Sequence, residues 1–141
     1  MSSELAPGMV LHLWFHAIRP FPKEKLCVLC CVDAPLFVLI NSLVNPFVNN
    51  TPELVAHHLP ITRSEYGFLD HDSWIDCSAP FGYDFEAVVA TIRRQPHQIK
   101  GRLSDAHRQE IIQTIGVSRF WTPKKARRVV DGLTNPVAVE C

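Results

Sequence analysis

The chain has 141 residues, 47% of them hydrophobic and 20% charged, and a formal net charge of +0 at pH 7. These values are typical of one globular domain, which at this length buries about two thirds of its unfolded surface and needs no disulfide or metal to fold. The longest apolar run, residues 26–40, is too short to span a bilayer, and residues 1–8 lack the basic segment of a secretory leader.

The first half of the chain predicts a hairpin-rich β unit. Runs rich in aliphatic, aromatic and β-branched residues predict strands at 9–17, 26–32, 36–41, 57–61 and 73–78. The connections between them predict an exposed turn or loop at 23–25, a tight turn at 33–35 and a loop at 43–53. Pro60 confines its strand to an edge or a bulge. In the last of these strands, Trp74, Asp76 and Ser78 face one side of the sheet, and Ile75 and Cys77 face the other.

The periodicity changes after residue 83 and predicts helices at 84–92, 105–115 and 122–131, with a connector or short strand at 99–103. Asp84 and Ser104 are candidate N-caps, and Thr122-Pro123 is a typical helix start. Glycines at 116 and 132 are predicted to follow the last two helices, and residues 133–141 are predicted to be a loose tail. We therefore expect an α+β protein, a small and strongly bent β-barrel closed by a helical C-terminal segment.

The cysteines are odd in number and three of them share one apolar run: Cys27, Cys30, Cys31, Cys77 and Cys141. Neighbours on a strand point to opposite faces, so Cys30 and Cys31 are poorly placed to pair. The spacing of Cys27 and Cys30 matches half of a redox or zinc motif, but no second ligand pair follows. The pattern favours buried free thiols in a reducing cytoplasm.

Charge is segregated along the chain. Residues 1–92 hold four basic and ten acidic residues, whereas residues 93–128 hold ten basic residues against Asp105 and Glu110. The basic part favours either a face for an anionic partner or a solvated helical surface. Its candidate contacts with RNA or an acidic protein are Arg119, Trp121, Lys124, Lys125, Arg127 and Arg128. The aromatic residues among these cations suit either base stacking or packing on the barrel.

No metal or cofactor is expected. His57-His58 is a poor ligand pair on a strand, and His71-Asp72 lies in a predicted loop without a third ligand. The carboxylates of Asp70, Asp72 and Asp76 near His71 could act as acid and base, or could satisfy backbone N–H groups, and we favour the second role. The chain has no glycine-rich phosphate loop and no dinucleotide fingerprint.

Cations flank the first long loop and suggest a phosphodiester site. A lysine there, facing Asn41 or Ser42 at the end of the third strand, would neutralise charge that develops on a phosphate. Lys25 is the candidate, and Arg19 and Lys23 would add positive charge to the same loop. The alternative is a solvent-exposed loop tipped with lysines.

The order of these elements resembles the PemK/MazF-like toxin family of plasmid and chromosomal toxin–antitoxin systems. The similar segments are an opening strand after Gly8, the apolar run that follows Lys25, a third strand ending at Ser42, the segment 69–76, and Gly101-Arg-Leu-Ser leading into a helix. The resemblance spans residues 8–117. It implies an SH3-like, strongly curved antiparallel barrel and a metal-independent endoribonuclease, in which the 2′-hydroxyl of single-stranded RNA attacks the adjacent phosphate.

Two family positions differ in this sequence. The Arg-Pro pair that opens the second strand of active members is replaced by Glu24-Lys25 or Lys25-Leu26, and the threonine that ends the third strand is replaced by Asn41 or Ser42. Lys25 and Ser42 are therefore the predicted phosphate-site residues, with Asn41 as orienter.

Three functions follow from the sequence. The first is a protein of a toxin–antitoxin or mobile-element system that binds or cleaves RNA through a domain at 1–117, with a basic helical extension and tail at 118–141. The second is a phage- or plasmid-encoded, non-enzymatic inhibitor that docks its basic face on an acidic partner. The third is a structural domain without a nucleic-acid role. A homodimer is compatible with the resemblance, and no membrane contact is expected.

Overall fold

A computed structural model describes residues 4–44 and 46–141 of the chain; Asn45, part of the predicted loop at 43–53, lies outside them. In the described part, the strands are β1 (Glu4–Leu5), β2 (Met9–Phe15), β3 (Lys23–Cys31), β4 (Leu36–Asn41), β5 (His58–Ile61), β6 (Ser73–Gly82), β7 (Ile99–Arg102) and β8 (Val139–Glu140). The α-helices there are α1 (Pro52–Ala56), α2 (Phe85–Arg94), α3 (Asp105–Gly116) and α4 (Pro123–Thr134). The protein therefore belongs to the α+β class, as predicted.

Six strands form one antiparallel sheet in the order β5-β6-β4-β3-β2-β7, and β1 pairs with β8 in a separate two-stranded ribbon. The outer strands β5 and β7 do not pair with each other among the described residues, so the sheet is open and the closed barrel is not confirmed. The register shifts in the pairings of β2 with β7, of β3 with β4 and of β4 with β6. Such irregularities bend strands and increase their twist.

The sheet has an apolar core on each face. On one face, the side chains of α3 and α4 pack with alternate residues of the central strands, such as Val28, Val38 and Ile75. On the other face, α2 packs with the intervening residues, such as Cys27 and Leu39. Both faces of the central strands are buried, which is why their sequences are continuous apolar runs with little alternation.

The predicted capping residues begin the three longer helices. The side chains of Asp84, Ser104 and Thr122 each accept a hydrogen bond from the backbone N–H three residues on, at the start of α2, α3 and α4. Pro123 occupies the first helical turn, where its missing N–H costs nothing. These side chains satisfy donors that a helix start otherwise leaves unpaired.

Several boundary predictions were wrong. Residues 23–25 belong to β3, because Lys23 and Lys25 pair with Phe15 and Leu13 of β2. The loop predicted at 43–53 includes the start of α1, and α4 continues past Gly132 to Thr134. The predicted tail is ordered in part, since β8 pairs with β1. The edge strand β5, with its Pro60, was predicted correctly.

The thiols of Cys27, Cys30, Cys31 and Cys77 are buried and free, as predicted, whereas Cys141 is free but only partly buried. Burial raises the pKa of Cys30 from its ordinary value of 9.0 to about 12, and raises the pKa values of Cys27 and Cys77 well above 9.0. The folded state therefore holds these protons more tightly than the unfolded chain does. The resulting stability is complete below about pH 9 and is lost as the pH rises toward 12.

We therefore expect the free energy of unfolding, measured with urea under reducing conditions, to fall above pH 9. Each of the three thiols should contribute a slope of about 1.4 kcal/mol per pH unit. A Cys30→Ala variant should show a shallower slope by that amount. A free energy of unfolding that stays constant between pH 8 and pH 10.5 would contradict this.

None of the helices in the described part of the chain is long and apolar enough to cross a membrane.

Candidate functional site

Lys25 lies near the start of β3, on the face of the sheet that α2 covers farther along. It pairs with Leu13 of β2 and shares its face with Cys27, two residues on. Partial burial lowers the pKa of its ammonium group, the charge of Lys23 lowers it further, and the carboxylate of Asp76 opposes both. Lys25 is therefore a cation placed between solvent and core, within electrostatic reach of a carboxylate.

Asp76 is the polar centre of this face. Leu39 of β4 pairs with Asp76 of β6, so Asn41, two residues after Leu39, lies on the same face. The side-chain amide of Asn41 donates to Asp76 Oδ2 at 3.5 Å. The other carboxylate oxygen, Oδ1, accepts from the backbone N–H and the hydroxyl of Ser78, at 2.9 and 2.5 Å.

His58 of the edge strand completes this group. Its Nε2 atom is 3.5 Å from Asp76 Oδ1, and its Nδ1 atom is 2.7 Å from the carbonyl oxygen of Leu54. The carbonyl can only accept, so Nδ1 carries the hydrogen. Lys25, Asn41, His58 and Asp76 are called the Asp76 cluster below.

The Asp76 cluster combines groups that suit phosphate chemistry without a metal. The two hydrogen bonds from Ser78 to Oδ1 fix the plane of the carboxylate, which leaves Oδ2, beside Asn41, as the oxygen best placed to accept a proton. The Asp76 side chain is 23% exposed, so solvent and ligands reach it. A nearby ammonium group can then balance negative charge that builds up on a bound phosphate.

Ser42, the other predicted phosphate ligand, lies just after the end of β4, toward the opposite face of the sheet from Asn41. It follows Asn41, and successive residues of an extended chain point to opposite faces. Lys25 and Ser42 nevertheless line one groove of about 160 Å³, called the strand-end groove below. The other polar residues of this groove are His12, Glu24, Asp70, His71 and Ser73.

The Asp76 cluster and the strand-end groove are built from neighbouring residues of the same strands. On β3, Lys25 belongs to both the cluster and the groove and Glu24 to the groove alone, and at the end of β4, Asn41 belongs to the cluster and Ser42 to the groove. The structure thus places Lys25 and Asn41 on the face of the sheet that carries Asp76, with Asn41 hydrogen-bonded to the carboxylate and Lys25 within its electrostatic influence, and it places Ser42 in the groove.

The two other predicted cations of this end of the molecule are exposed. Arg19 lies in the loop between β2 and β3, and Lys23 is the first residue of β3. Trp14 of β2 pairs with Glu24 and is 44% exposed, and Phe21 of the same loop is 74% exposed. This end of the sheet therefore offers positive charge and aromatic surface together.

The predicted contacts of the C-terminal extension divide into two groups. Trp121 is buried, and its indole N–H donates to the carbonyl oxygen of Cys77 at 2.7 Å. Arg119 forms an ion pair with Glu53 at 2.5 Å, and Arg128 donates to the carbonyl oxygen of Ala34. These three side chains have structural partners.

The remaining cations of the extension are Lys124, Lys125 and Arg127. All three are exposed on α4, and within the described residues none forms an ion pair. They are the cations of this extension that are free to meet a partner.

Two features were absent from the predicted site. His12 and Glu24 face the strand-end groove, with 3.6 Å between His12 Nδ1 and Glu24 Oε2. The signal was the alternation within β2, where Leu11, Leu13 and Phe15 are buried and His12 interrupts the apolar run on the other face. Asp76 was noted in the sequence but assigned a structural role.

Asp72 performs the structural role expected of such carboxylates, since its Oδ1 accepts from the backbone N–H of Arg63 at 2.9 Å. Within residues 4–44 and 46–141, no three His, Cys, Asp or Glu side chains are grouped so that they could hold a metal ion.

No protein-family model matches the chain, and no curated protein matches its sequence significantly.

Proposed function

We propose that the protein is a metal-independent endoribonuclease that binds and cleaves single-stranded RNA at the Asp76 cluster. The observation that carries this proposal is that Lys25 and Asn41, the lysine and the amide predicted from the sequence, lie on the face of the sheet that carries Asp76, whose carboxylate accepts from Asn41 and acts electrostatically on Lys25. A base, a cation and an orienting amide are the groups that an attack by the RNA's own 2′-hydroxyl requires.

The proposed reaction begins with transfer of the 2′-hydroxyl proton to Asp76 Oδ2. The 2′-oxygen forms a bond to the adjacent phosphorus, the bond from phosphorus to the 5′-oxygen breaks, and the leaving oxygen takes a proton from water. The products are a 2′,3′-cyclic phosphate and a 5′-hydroxyl, and Asp76 returns its proton to solvent. Lys25 stabilises the negative charge on the phosphate during the transfer, and Asn41 orients the carboxylate.

Membership of the PemK/MazF-like family, a role in a toxin–antitoxin or mobile-element system, and an SH3-like curvature of the sheet belong to the same proposal. The order of strands, the irregular pairings that bend them and the helix that starts at Ser104 after Gly101-Arg-Leu support it. Its site differs from the family pattern, because a lysine stands where a guanidinium is expected and cannot bind phosphate in bidentate fashion.

The proposal predicts cleavage of mixed single-stranded RNA by the purified protein in the presence of a chelator. Lys25→Ala should lower the rate about 10²–10³-fold, since it removes a preorganised charge from the transition state. Asp76→Asn should lower it about 10²–10⁴-fold, since it removes the base. Cleavage rates are measured on a labelled oligonucleotide, and the cyclic phosphate is identified by mass spectrometry.

Lys100→Ala is the matched control, because Lys100 is an exposed lysine on β7, at the other edge of the sheet. It should cleave as the unmodified protein does. Replacing the attacking ribose by 2′-deoxyribose should abolish cleavage at that bond. The proposal fails if the protein leaves RNA intact, or if cleavage persists undiminished in Lys25→Ala.

The lowered pKa of Lys25 predicts the pH dependence of cleavage. The reaction needs the charged ammonium, so kcat/KM, which reports the free enzyme, should fall as the pH rises through a pKa below the ordinary 10.5. Lys25→Arg should remove this alkaline decline, because a guanidinium stays protonated. Both profiles are measured against a blank without protein, and an identical decline in both would contradict the role of Lys25.

The exposed cations of α4 favour a second candidate, an interaction protein that binds an acidic protein partner. Arg127 lines a groove of about 580 Å³ between the end of α3 and α4, in which Val117 is 88% exposed, and Lys124 and Lys125 lie on the same helix. Charge reversal of the three cations should abolish capture of an acidic partner and leave RNA cleavage intact if the two activities are separate. RNA binding lost in this variant would instead assign the face to RNA.

A further inference from the structure

The strand-end groove has the composition of a site for a flat, partly polar ring. Leu26, Ile40 and Leu69 supply apolar surface, and the polar side chains around them include Glu24 and Asp70. A volume of about 160 Å³ accommodates a single planar ring rather than a whole nucleotide. Most of the lining residues are polar, so hydrogen bonds to the edge of the ring outnumber apolar contacts to its face.

The position of the groove relates it to the cleavage site. Lys25 lines the groove and also belongs to the Asp76 cluster, and Ser42 is the chain neighbour of Asn41. Because neighbouring strand residues point to opposite faces, the two sites lie on either side of the same strand ends. An RNA strand that turns over these ends would place a phosphate at the cluster and the base of an adjoining nucleotide in the groove.

We propose that the strand-end groove is a nucleobase subsite that selects bases carrying an exocyclic amino group and disfavours uracil. This rests on the proposed function. The carboxylates of Glu24 and Asp70 only accept hydrogen bonds when ionised, so they pair with the N–H groups of adenine, cytosine or guanine. Uracil has no amino group, and its one Watson–Crick donor, N3–H, lies between the carbonyl oxygens O2 and O4, which a carboxylate repels.

His12 lies beside Glu24 and supports the selection among bases. His12 Nδ1 lies 3.6 Å from Glu24 Oε2, so a protonated His12 would form an ion pair that restrains the carboxylate at the mouth of the groove. A restrained acceptor loses less freedom on binding and discriminates between bases more sharply than a mobile one. The side chains of His12 and Glu24 are 30% and 53% exposed, so a base can reach them.

The test uses DNA oligonucleotides that contain one ribonucleotide, the only cleavable position, with each of the bases in turn at that position and at its two neighbours. We expect kcat/KM to be at least tenfold lower when uracil occupies one of these three positions. In Glu24→Gln and in Asp70→Asn, the ratio of kcat/KM for the other bases to kcat/KM for uracil should fall at least threefold, because an amide offers both a donor and an acceptor. Two variants keep the test decisive if one of them fails to fold, as judged by circular dichroism.

Glu86→Gln is the matched control, because Glu86 is exposed in the first turn of α2 and away from the groove. It should keep the base preference of the unmodified protein. Cleavage without preference among the bases, or a preference unchanged in both groove variants, overturns the subsite and leaves the ribonuclease proposal standing. If the protein neither binds nor cleaves any of these oligonucleotides, the proposed function fails together with the subsite.

Discussion

Trp121→Ala is expected to destabilise the protein by about 4–5 kcal/mol, at the upper end of the range for large buried aromatic residues. Trp121 is 5% exposed and packs in the core between the sheet and α3 and α4. Its removal leaves a cavity and also takes the indole N–H away from the carbonyl oxygen of Cys77. Since a domain of this kind is stable by about 5–15 kcal/mol, a large unfolded fraction is expected at 37 °C.

The midpoint of urea unfolding measures this effect. Trp121→Phe keeps most of the ring and removes the hydrogen bond, so it should cost about 1–2 kcal/mol. Trp14→Ala is the control for loss of a tryptophan as such, because Trp14 is exposed, and it should change stability by only about 0.5 kcal/mol. Equal effects of Trp121→Ala and Trp14→Ala would mean that residues 118–141 are not part of the fold's core.

The result bears on how the chain is divided. The sequence places a boundary near residue 117, because the family resemblance ends there and the basic segment stands out. In the structure, Val129 and Leu133 of α4 are buried in the same core as Val28 and Cys30 of β3. The extension therefore covers one face of the sheet, and composition alone does not reveal this because the apolar residues of α4 are few and lie among cations.

The parts of the fold that local chemistry determines were predictable. Asp84, Ser104 and Thr122 cap helices as expected, because a capping side chain acts on a backbone N–H only three residues away. The start of β3 was not predictable in this way. Lys23 and Lys25 resemble a loop in composition, and they are extended because β2 provides their backbone partners.

The candidate site combines residues that the sequence suggested with positions that it did not reveal. Lys25 and Asn41 were candidates from the predicted order of strands, whereas the position of Asp76 on their face depends on the pairing of β4 with β6. That pairing shifts between Phe37 and Leu39, and one residue of slip would turn Asp76 to the other face. Register irregularities of this kind arise from tertiary packing, which a single sequence does not show.

Gly132→Ala is expected to destabilise the protein by about 3 kcal/mol, although alanine is the better helix former. Gly132 lies inside α4, where a Cβ atom would come within 2.4 Å of the carbonyl oxygen of Cys30 on β3. A backbone atom cannot rotate away as a side chain can, so α4 and β3 must separate and their shared core must loosen. This glycine was predicted to end the helix, and its actual role is to let the helix and the strand approach closely.

Gly116→Ala is the matched control, because Gly116 also lies in a helix but a Cβ atom there would be 3.6 Å from a methyl group of Val130, an ordinary contact. It should be neutral or stabilising by up to about 1 kcal/mol, as the helix propensities of the two residues predict. Chemical denaturation of the two variants should therefore separate them by about 3–4 kcal/mol, of which steric overlap at Gly132 accounts for the larger part. Equal stability of the two variants would show that α4 does not lie against Cys30. It would also contradict the burial of Val129 and Leu133 beneath the sheet.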